Sequence, residues 1–326
     1  MPTSEKSIIR RIRQLSGKRG VASVPLGIGD DTAILRVPFG HEVLVTTDFS
    51  LEGVHFRREW HPPESVGHRC LTRGLSDIAA MGGQPLAAFL SLALPVKLPQ
   101  RWVDGFLRGL LGLAHQHGIT LAGGDTAQSP GSGSNTRILA DIVVVGYAPR
   151  GKAMRRSGAK AGDSIYVTGK LGGSAFALES LFAQPKKRLN PEKYPAHFYP
   201  QPRLAVGKYL RERGIATSMI DVSDGLSTDL HHLCEESRVG AEVAAEMIPR
   251  AHGATLEHAL HGGEDYELLF TALANRKVPG SIAGVAVTRI GKIRSGPARV
   301  SLLEGLRSRE LPTGGWEHFK SPQRSS

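Results

Sequence analysis

Apolar residues recur at spacings of mostly three and four along Glu64–Met81, at Val66, Cys70, Leu71, Leu75 and Ile78, and Gly82-Gly83 ends the run. That period predicts a helix with one buried face. Trp102, Phe106, Leu110, Leu113 and Ala114 repeat it over Arg101–His117. Elsewhere the period changes. Val43-Leu44-Val45, running into Thr46-Thr47-Asp48, reads as a buried strand, and the β-branched run Ile138–Tyr147 as another. In the second half, Ser164–Thr168 reads as a strand, and Gly172-Gly173-Ser174 opens a helix to about Phe182. Pro185–Pro202 is Pro-rich and reads as a long surface loop. Ser223 or Asp224 caps a helix with the apolar face Leu226, Leu230 and Leu233, and strands follow near Val239–Ala244, Glu267–Thr271 and Ile282–Ile290. Helices and strands alternate in both halves, so the fold class is α+β (mixed α/β).

At 326 residues the chain is about twice the ~100–200 of one domain, which predicts two. The polar, basic stretch Ala148–Gly162 is the natural seam, giving domains over 1–148 and 149–326. Low complexity is confined to Pro130–Asn135 and the terminal SPQRSS.

A formal charge of +11 suggests a polyanion partner until the charge is located. Residues 1–20 carry +5 and residues 276–326 carry +7, leaving −1 for everything between. A neutral middle weighs against a nucleic-acid groove. Two cysteines without CxxC spacing make no disulfide framework and suit a reducing cytoplasm. Both fall on predicted helix faces, as buried thiols without chemistry. The N-terminus lacks a secretory apolar core, and no apolar run reaches the ~18–20 residues of a membrane span.

The chemistry is written in aspartates beside glycine or hydroxyl residues: Gly27-Ile28-Gly29-Asp30-Asp31, Thr46-Thr47-Asp48, Ser76-Asp77, Gly123-Gly124-Asp125-Thr126, Asp221-Val222-Ser223-Asp224-Gly225 and Gly262-Gly263-Glu264-Asp265. Any one of these is more often a turn or a cap. Together, after strand-like runs and at helix starts, they offer the oxygen donors that Mg²⁺ takes beside substrate phosphates. Clustered carboxylates repel one another unless cations neutralise them. No Walker A loop and no complete dinucleotide fingerprint occurs, which disfavours P-loop kinases and Rossmann oxidoreductases.

In this order, GIGDD, TTDFSLEGVHF, LSDIAAMGGQPL, AGGDT, RSGAKAGD, IDVSDGLSTDL and GGEDYEL closely resemble the thiamine-monophosphate kinase family, within the superfamily of aminoimidazole ribonucleotide synthetase and selenophosphate synthetase. The resemblance runs from about Leu26 to Phe270, with a weaker echo at Gly315–Phe319. It implies a two-domain α/β fold, pairing of N-terminal domains in a homodimer, and Mg²⁺-dependent transfer of the γ-phosphoryl group of ATP onto thiamine monophosphate. It also implies metal ligands at Asp31, Thr46, Thr47, Asp48, Asp77, Asp125, Asp221 and Asp224. Nucleotide contacts are implied at Gly124, Arg156 and Ser223, and substrate contacts at His55, Glu264 and Trp316. No general base is expected.

Two departures stand out. The family's GGDTT block reads Gly123-Gly124-Asp125-Thr126-Ala127-Gln128 here, without the second Thr and the following Arg, and Ser50 stands where a small apolar residue or Val is usual. Among rivals, selenophosphate synthetase calls for a reactive Cys in an N-terminal Gly-rich loop, whereas the first Cys here is Cys70. The hydrogenase-maturation relative uses a C-terminal Cys, whereas this chain ends Gln-Arg-Ser-Ser. A non-catalytic nucleic-acid-binding protein using the basic termini would show strongly salt-dependent binding and no ATP turnover.

Overall fold

A computed structural model describes residues 5–16, 22–131, 136–186 and 188–319; most of the Pro130–Asn135 run and the SPQRSS tail lie outside them. The chain forms two compact units, Met1–Ala153 with Leu181–Arg211, and Met154–Ser180 with Glu212–Ser326. The segment Leu181–Arg211, placed with the second domain by the sequence pattern, packs with the first unit.

The first unit begins with α1 (Glu5–Leu15) and continues β1 (His41–Leu51), α2 (Pro63–Ala80), β2 (Gln84–Leu94), α3 (Gln100–Gln116), β3 (Thr120–Gln128) and β4 (Leu139–Pro149). Its four strands order as β1-β4-β2-β3, with β2 and β3 parallel and the other pairs antiparallel. The alternation along each strand turns one face inward. Leu90, Leu92, Ala140, Ile142 and Val144 are buried there with Leu71, Leu75 and Ile78 of α2. The strand expected at Val43-Leu44-Val45 forms, but it is not buried. Val43, Val45 and Phe49 are 54%, 65% and 60% exposed, because β1 is an edge strand and these residues point away from α2.

The chain then supplies β5 (Ser164–Thr168) and α4 (Gly173–Ala183), followed by α5 (Pro195–Phe198) and α6 (Leu204–Glu212). Pro185–Pro202 is a surface loop only in its first part: its described residues up to Lys193 are mostly exposed, whereas the later part is packed down. His197 and Phe198 are buried, Ser65 Oγ donates to the Phe198 carbonyl at 2.8 Å, and His68 Nε2 lies 2.7 Å from the Pro200 carbonyl. Proline ends extended runs but also starts helical turns, as Pro191 and Pro195 do here. Turn composition alone therefore could not report that the segment is strapped down.

The second unit is completed by β6 (Ser218–Val222), α7 (Leu226–Ser237), β7 (Gly240–Ala244), α8 (Leu256–His261), β8 (Glu267–Ala272), β9 (Ser281–Ile282), β10 (Val285–Arg294), β11 (Val300–Glu304) and β12 (Arg307–Glu310). Its sheet runs β12-β11-β7-β10-β5-β8-β6, with β9 paired to β10. Leu226, Leu230 and Leu233 of α7 pack on Ile165, Val167, Ile220 and Leu269 of this sheet, the apolar face expected for that helix. Cys70 and Cys234 are both buried, and burial pushes each thiol up to about 12, which leaves them inert at neutral pH. No helix among the described residues is long and apolar enough to cross a membrane.

Candidate active-site residues

In the second unit three separated motifs meet at the end of β6. Val222 closes that strand, and Ser223-Asp224-Gly225 turns into α7. The N-terminal cap is neither Ser223 nor Asp224. Gly225, at φ 121°, precedes the helix, and the cap comes from inside it. Asp229 Oδ2 accepts the backbone N–H groups of Ser223, Asp224 and Gly225 at 3.1, 3.2 and 3.0 Å. One buried carboxyl thus fixes the whole turn. Burial first, then the charges of Asp221 and Asp224, push the Asp229 carboxyl well above the usual carboxylate range, against these backbone bonds.

The Gly262–Asp265 run lies on this turn. The Glu264 N–H donates to the Ser223 carbonyl at 2.8 Å, and the Tyr266 N–H to the Val222 carbonyl at 2.9 Å. Glu264 and Tyr266 take φ of 65° and 51°, a left-handed conformation that costs energy away from glycine and clusters at functional sites. Between them Asp265 turns inward, and its Oδ2 accepts from the Gly172 N–H at 2.7 Å at the start of α4. Its Oδ1 has no hydrogen-bond partner among the described residues. Burial, with Glu267 nearby, pushes this carboxyl up to about 8.

The C-terminal run closes the group. The Trp316 N–H donates to the Asp224 carbonyl at 3.0 Å, and the Gly315 N–H to Thr228 Oγ1 at 3.1 Å. The indole is 54% exposed beside the His318 ring, 5.6 Å away. Asp221, Ser223, Asp224, Glu264 and Trp316 are therefore neighbours. Among the described residues no hydrogen bond or ion pair joins Arg156 to this group. Its carbonyl accepts from Ser237 Oγ at 2.9 Å, at the opposite end of α7, and its side chain is exposed.

In the first unit the strand register sorts the remaining candidates onto two faces. Asp125 pairs with Ser91, Ser91 with Asp141, and Asp141 with Phe49, so these four stand in one row across the sheet, on the face away from α2. Strand spacing puts Asp125 ~10 Å from Asp141. Thr47 Oγ1 donates to Asp141 Oδ1 at 2.7 Å on the same face. Thr46 and Asp48 alternate to the opposite face, where Thr46 Oγ1 donates to Asp77 Oδ2 of α2. His55 lies farther along, its Nδ1 accepting the Leu51 N–H at 3.0 Å, in a small depression with Ser50, Arg69 and Arg73.

At the other edge of the sheet, Gly27–Ala33 and Leu121–Thr126 line a cavity of about 330 Å³ with α1. Asp31 and Gly124 lie in this lining, and both are exposed. Gly124 takes φ 144°, and a side chain there would collide with the Leu90 carbonyl, so only glycine lets the backbone face the cavity.

Among the described residues no three His, Cys, Asp or Glu side chains already form a metal cage. The donor chemistry nevertheless fits a hard cation. Every proposed ligand offers oxygen, and Mg²⁺ takes only one or two carboxylates from protein, the rest from phosphate and water. Asp221 and Asp224 lie close enough to Asp229 to add to the upward push that its burial gives, so this turn gathers three carboxyls. Asp141 and Asp229 were not singled out by the sequence pattern. Asp141 interrupts an otherwise β-branched run, and Asp229 is a lone acid in the apolar period of α7; neither signal names a partner.

Comparison with known proteins shows the family and the fold. Residues 29–148 match the AIR synthase related protein, N-terminal domain, and residues 160–298 match the corresponding C-terminal domain. The thiamine-monophosphate kinase of Salmonella typhimurium is 35% identical over 318 residues, covering 92% of this chain and 93% of its own. The crystal structure of thiamine-monophosphate kinase from Stenotrophomonas maltophilia K279a superposes with a TM-score of 0.79 at 35% identity, over 93% of this chain and 97% of that one. A structure described as AaThiL complexed with AMPPCP and TMP reaches a TM-score of 0.75 at 32% identity, over 97% of both chains. On the motifs, the fold of each unit and these relatives, the chain belongs to the thiamine-monophosphate kinase family of the AIR synthase related proteins.

Proposed function

We propose that this protein is a kinase that transfers the γ-phosphoryl group of ATP to thiamine monophosphate, giving thiamine diphosphate and ADP. The observation that carries the reading is the convergence of Asp221, Ser223, Asp224, Glu264 and Trp316 on one backbone-locked turn, in a chain that aligns over nearly its full length with an enzyme holding AMPPCP and TMP. The acceptor phosphate has a second pKa of about 6, so its oxygen is already anionic at neutral pH and needs no general base. The difficulty is bringing two polyanions together, which positioning and charge neutralisation resolve.

Mg²⁺ supplies that neutralisation when bound. Several ions are called for: Thr47 and Asp125 on one face of the first sheet, Thr46, Asp48 and Asp77 on the other, Asp31 in the cavity at its edge, and Asp221 and Asp224 in the second unit are the residues that would hold them. Gly124 and Ser223 offer close backbone or hydroxyl contact to the nucleotide, and Arg156 an exposed cation for its phosphates. His55, Glu264 and Trp316 are assigned to thiamine monophosphate: an exposed indole suits stacking on a cationic heterocycle, and Glu264 suits its charge. The exposed apolar row Val43, Val45 and Phe49 supports pairing of two first units in a homodimer. Two buried free thiols support a cytoplasmic setting.

The test is incubation with Mg·ATP and thiamine monophosphate, with free thiamine as the control acceptor. The reading expects thiamine diphosphate from the monophosphate and no product from thiamine; ATP hydrolysis without thiamine diphosphate contradicts it.

A further inference from the structure

The cavity bounded by the GIGDD and AGGDT turns contains three exposed carboxylates, Asp30, Asp31 and Asp125, and a polyphosphate entering it would meet strong repulsion. Among its lining residues there is one cation, Arg13 of α1. The helix that presents it is anchored by other groups. Ile8 and Ile12 are buried, and Arg11 Nε lies 2.9 Å from Asp104 Oδ1 of α3.

Arg13 itself lies over the GIGDD backbone. A Cβ built on Gly29, at φ 136°, would come 2.5 Å from Arg13 Nη2, so the glycine leaves the space that the guanidinium occupies. Despite the nearby carboxylates, the Arg13 guanidinium makes no hydrogen bond or ion pair with another described residue, and its side chain is exposed. A guanidinium held at a cavity wall, its donors uncommitted among the described residues, is suited to bidentate binding of phosphate oxygens.

We propose that Arg13 is a phosphate-binding residue of the nucleotide site, its guanidinium donating to the polyphosphate of ATP while the carboxylates of the same cavity serve the cation. This rests on reading the cavity as the nucleotide site. α1 thereby becomes part of that site rather than an N-terminal appendage, and the basic character of residues 1–20 gains one specific use.

The experiment uses the full chain with Arg13→Ala, Arg13→Lys and Arg13→Met. The inference expects Arg13→Ala to weaken Mg·ATP binding, measured by calorimetry without acceptor, by about 10- to 100-fold, the loss of one charge-assisted contact. The KM for ATP rises in parallel, and the KM for thiamine monophosphate and the melting temperature stay at wild-type values. Arg13→Lys recovers part of the loss, because it keeps the charge without the fork. Arg13→Met keeps the apolar stem, so a loss shared by Met and Ala but not by Lys assigns the effect to charge rather than packing. Wild-type Mg·ATP affinity in Arg13→Ala overturns the inference. An inactive wild-type enzyme would instead overturn the kinase reading, and the calorimetric comparison separates the two.

Discussion

Asp229 Oδ2 accepts the Asp224 N–H at 3.2 Å, and the same oxygen holds the N–H groups on either side of it. A buried carboxyl with two acidic neighbours is an unfavourable group, and it is retained where the turn must keep one shape. Asp229→Ala leaves three N–H groups without their acceptor, at ~1–3 kcal/mol for each that stays buried. We expect a lower melting temperature and a kcat reduced by at least ~10²-fold, the scale seen when positioning within a site is lost. Asp229→Asn keeps one acceptor oxygen and should recover stability more fully than activity. Thermal melts paired with initial rates distinguish this from a purely structural role.

Asp141 is the second residue added by the structure. Its bond from Thr47 is exposed, so Asp141→Ala should change stability by no more than ~0.5–1.5 kcal/mol. It should nevertheless raise the Mg²⁺ concentration for half-maximal rate by about tenfold, one charge-assisted contact's worth. A Mg²⁺ titration at saturating ATP reads this, and an unchanged midpoint removes Asp141 from the site.

Asp265 predicts a pH dependence. Its folded carboxyl titrates at about 8 because it is buried, whereas an unfolded Asp titrates near ~3.9. Between those values the folded chain holds a proton that the unfolded chain has released, so this residue makes stability fall as pH rises through the window, with the full penalty above about 8. Asp265→Asn keeps an acceptor for the Gly172 N–H and removes the charge. Melting temperatures at pH 5, 7 and 9 should show the variant gaining on wild type with each step. A constant difference would contradict the assignment.

Trp316→Ala should raise the KM for thiamine monophosphate by ~10-fold, the scale of one aromatic contact to a cation, with little change for ATP. The backbone bond to Asp224 does not depend on the indole, so the melting temperature should hold. An equal rise in both KM values would point to a disturbed turn instead.

Much of this was legible in the chain because local period and local chemistry coincide. The α2 and α3 patterns repeat over several turns, and Asp221 to Asp224 sit beside the glycine that the turn requires. What was illegible depends on register and on neighbours distant in sequence. Nothing near Thr47 in the chain reveals that Asp141 lies across a strand pair from it, or that Thr46 and Thr47 serve opposite faces. Burial of Phe198 likewise depends on α2, whose Ser65 and His68 reach the Phe198 and Pro200 carbonyls, not on the prolines that flank it. Val43 and Val45 carry the composition of a core strand, and only their edge position leaves them uncovered.

Direct transfer between two phosphates, supported by these carboxylates, is the central step. The most direct measurement follows a radiolabelled γ-phosphate of ATP in wild type and in Asp77→Asn, with folding of the variant verified by thermal melts. Direct transfer puts the label in the terminal phosphate of thiamine diphosphate for wild type, with a rate at least ~10²-fold lower in the folded variant. Label appearing only as inorganic phosphate, or a wild-type rate in Asp77→Asn, would contradict it.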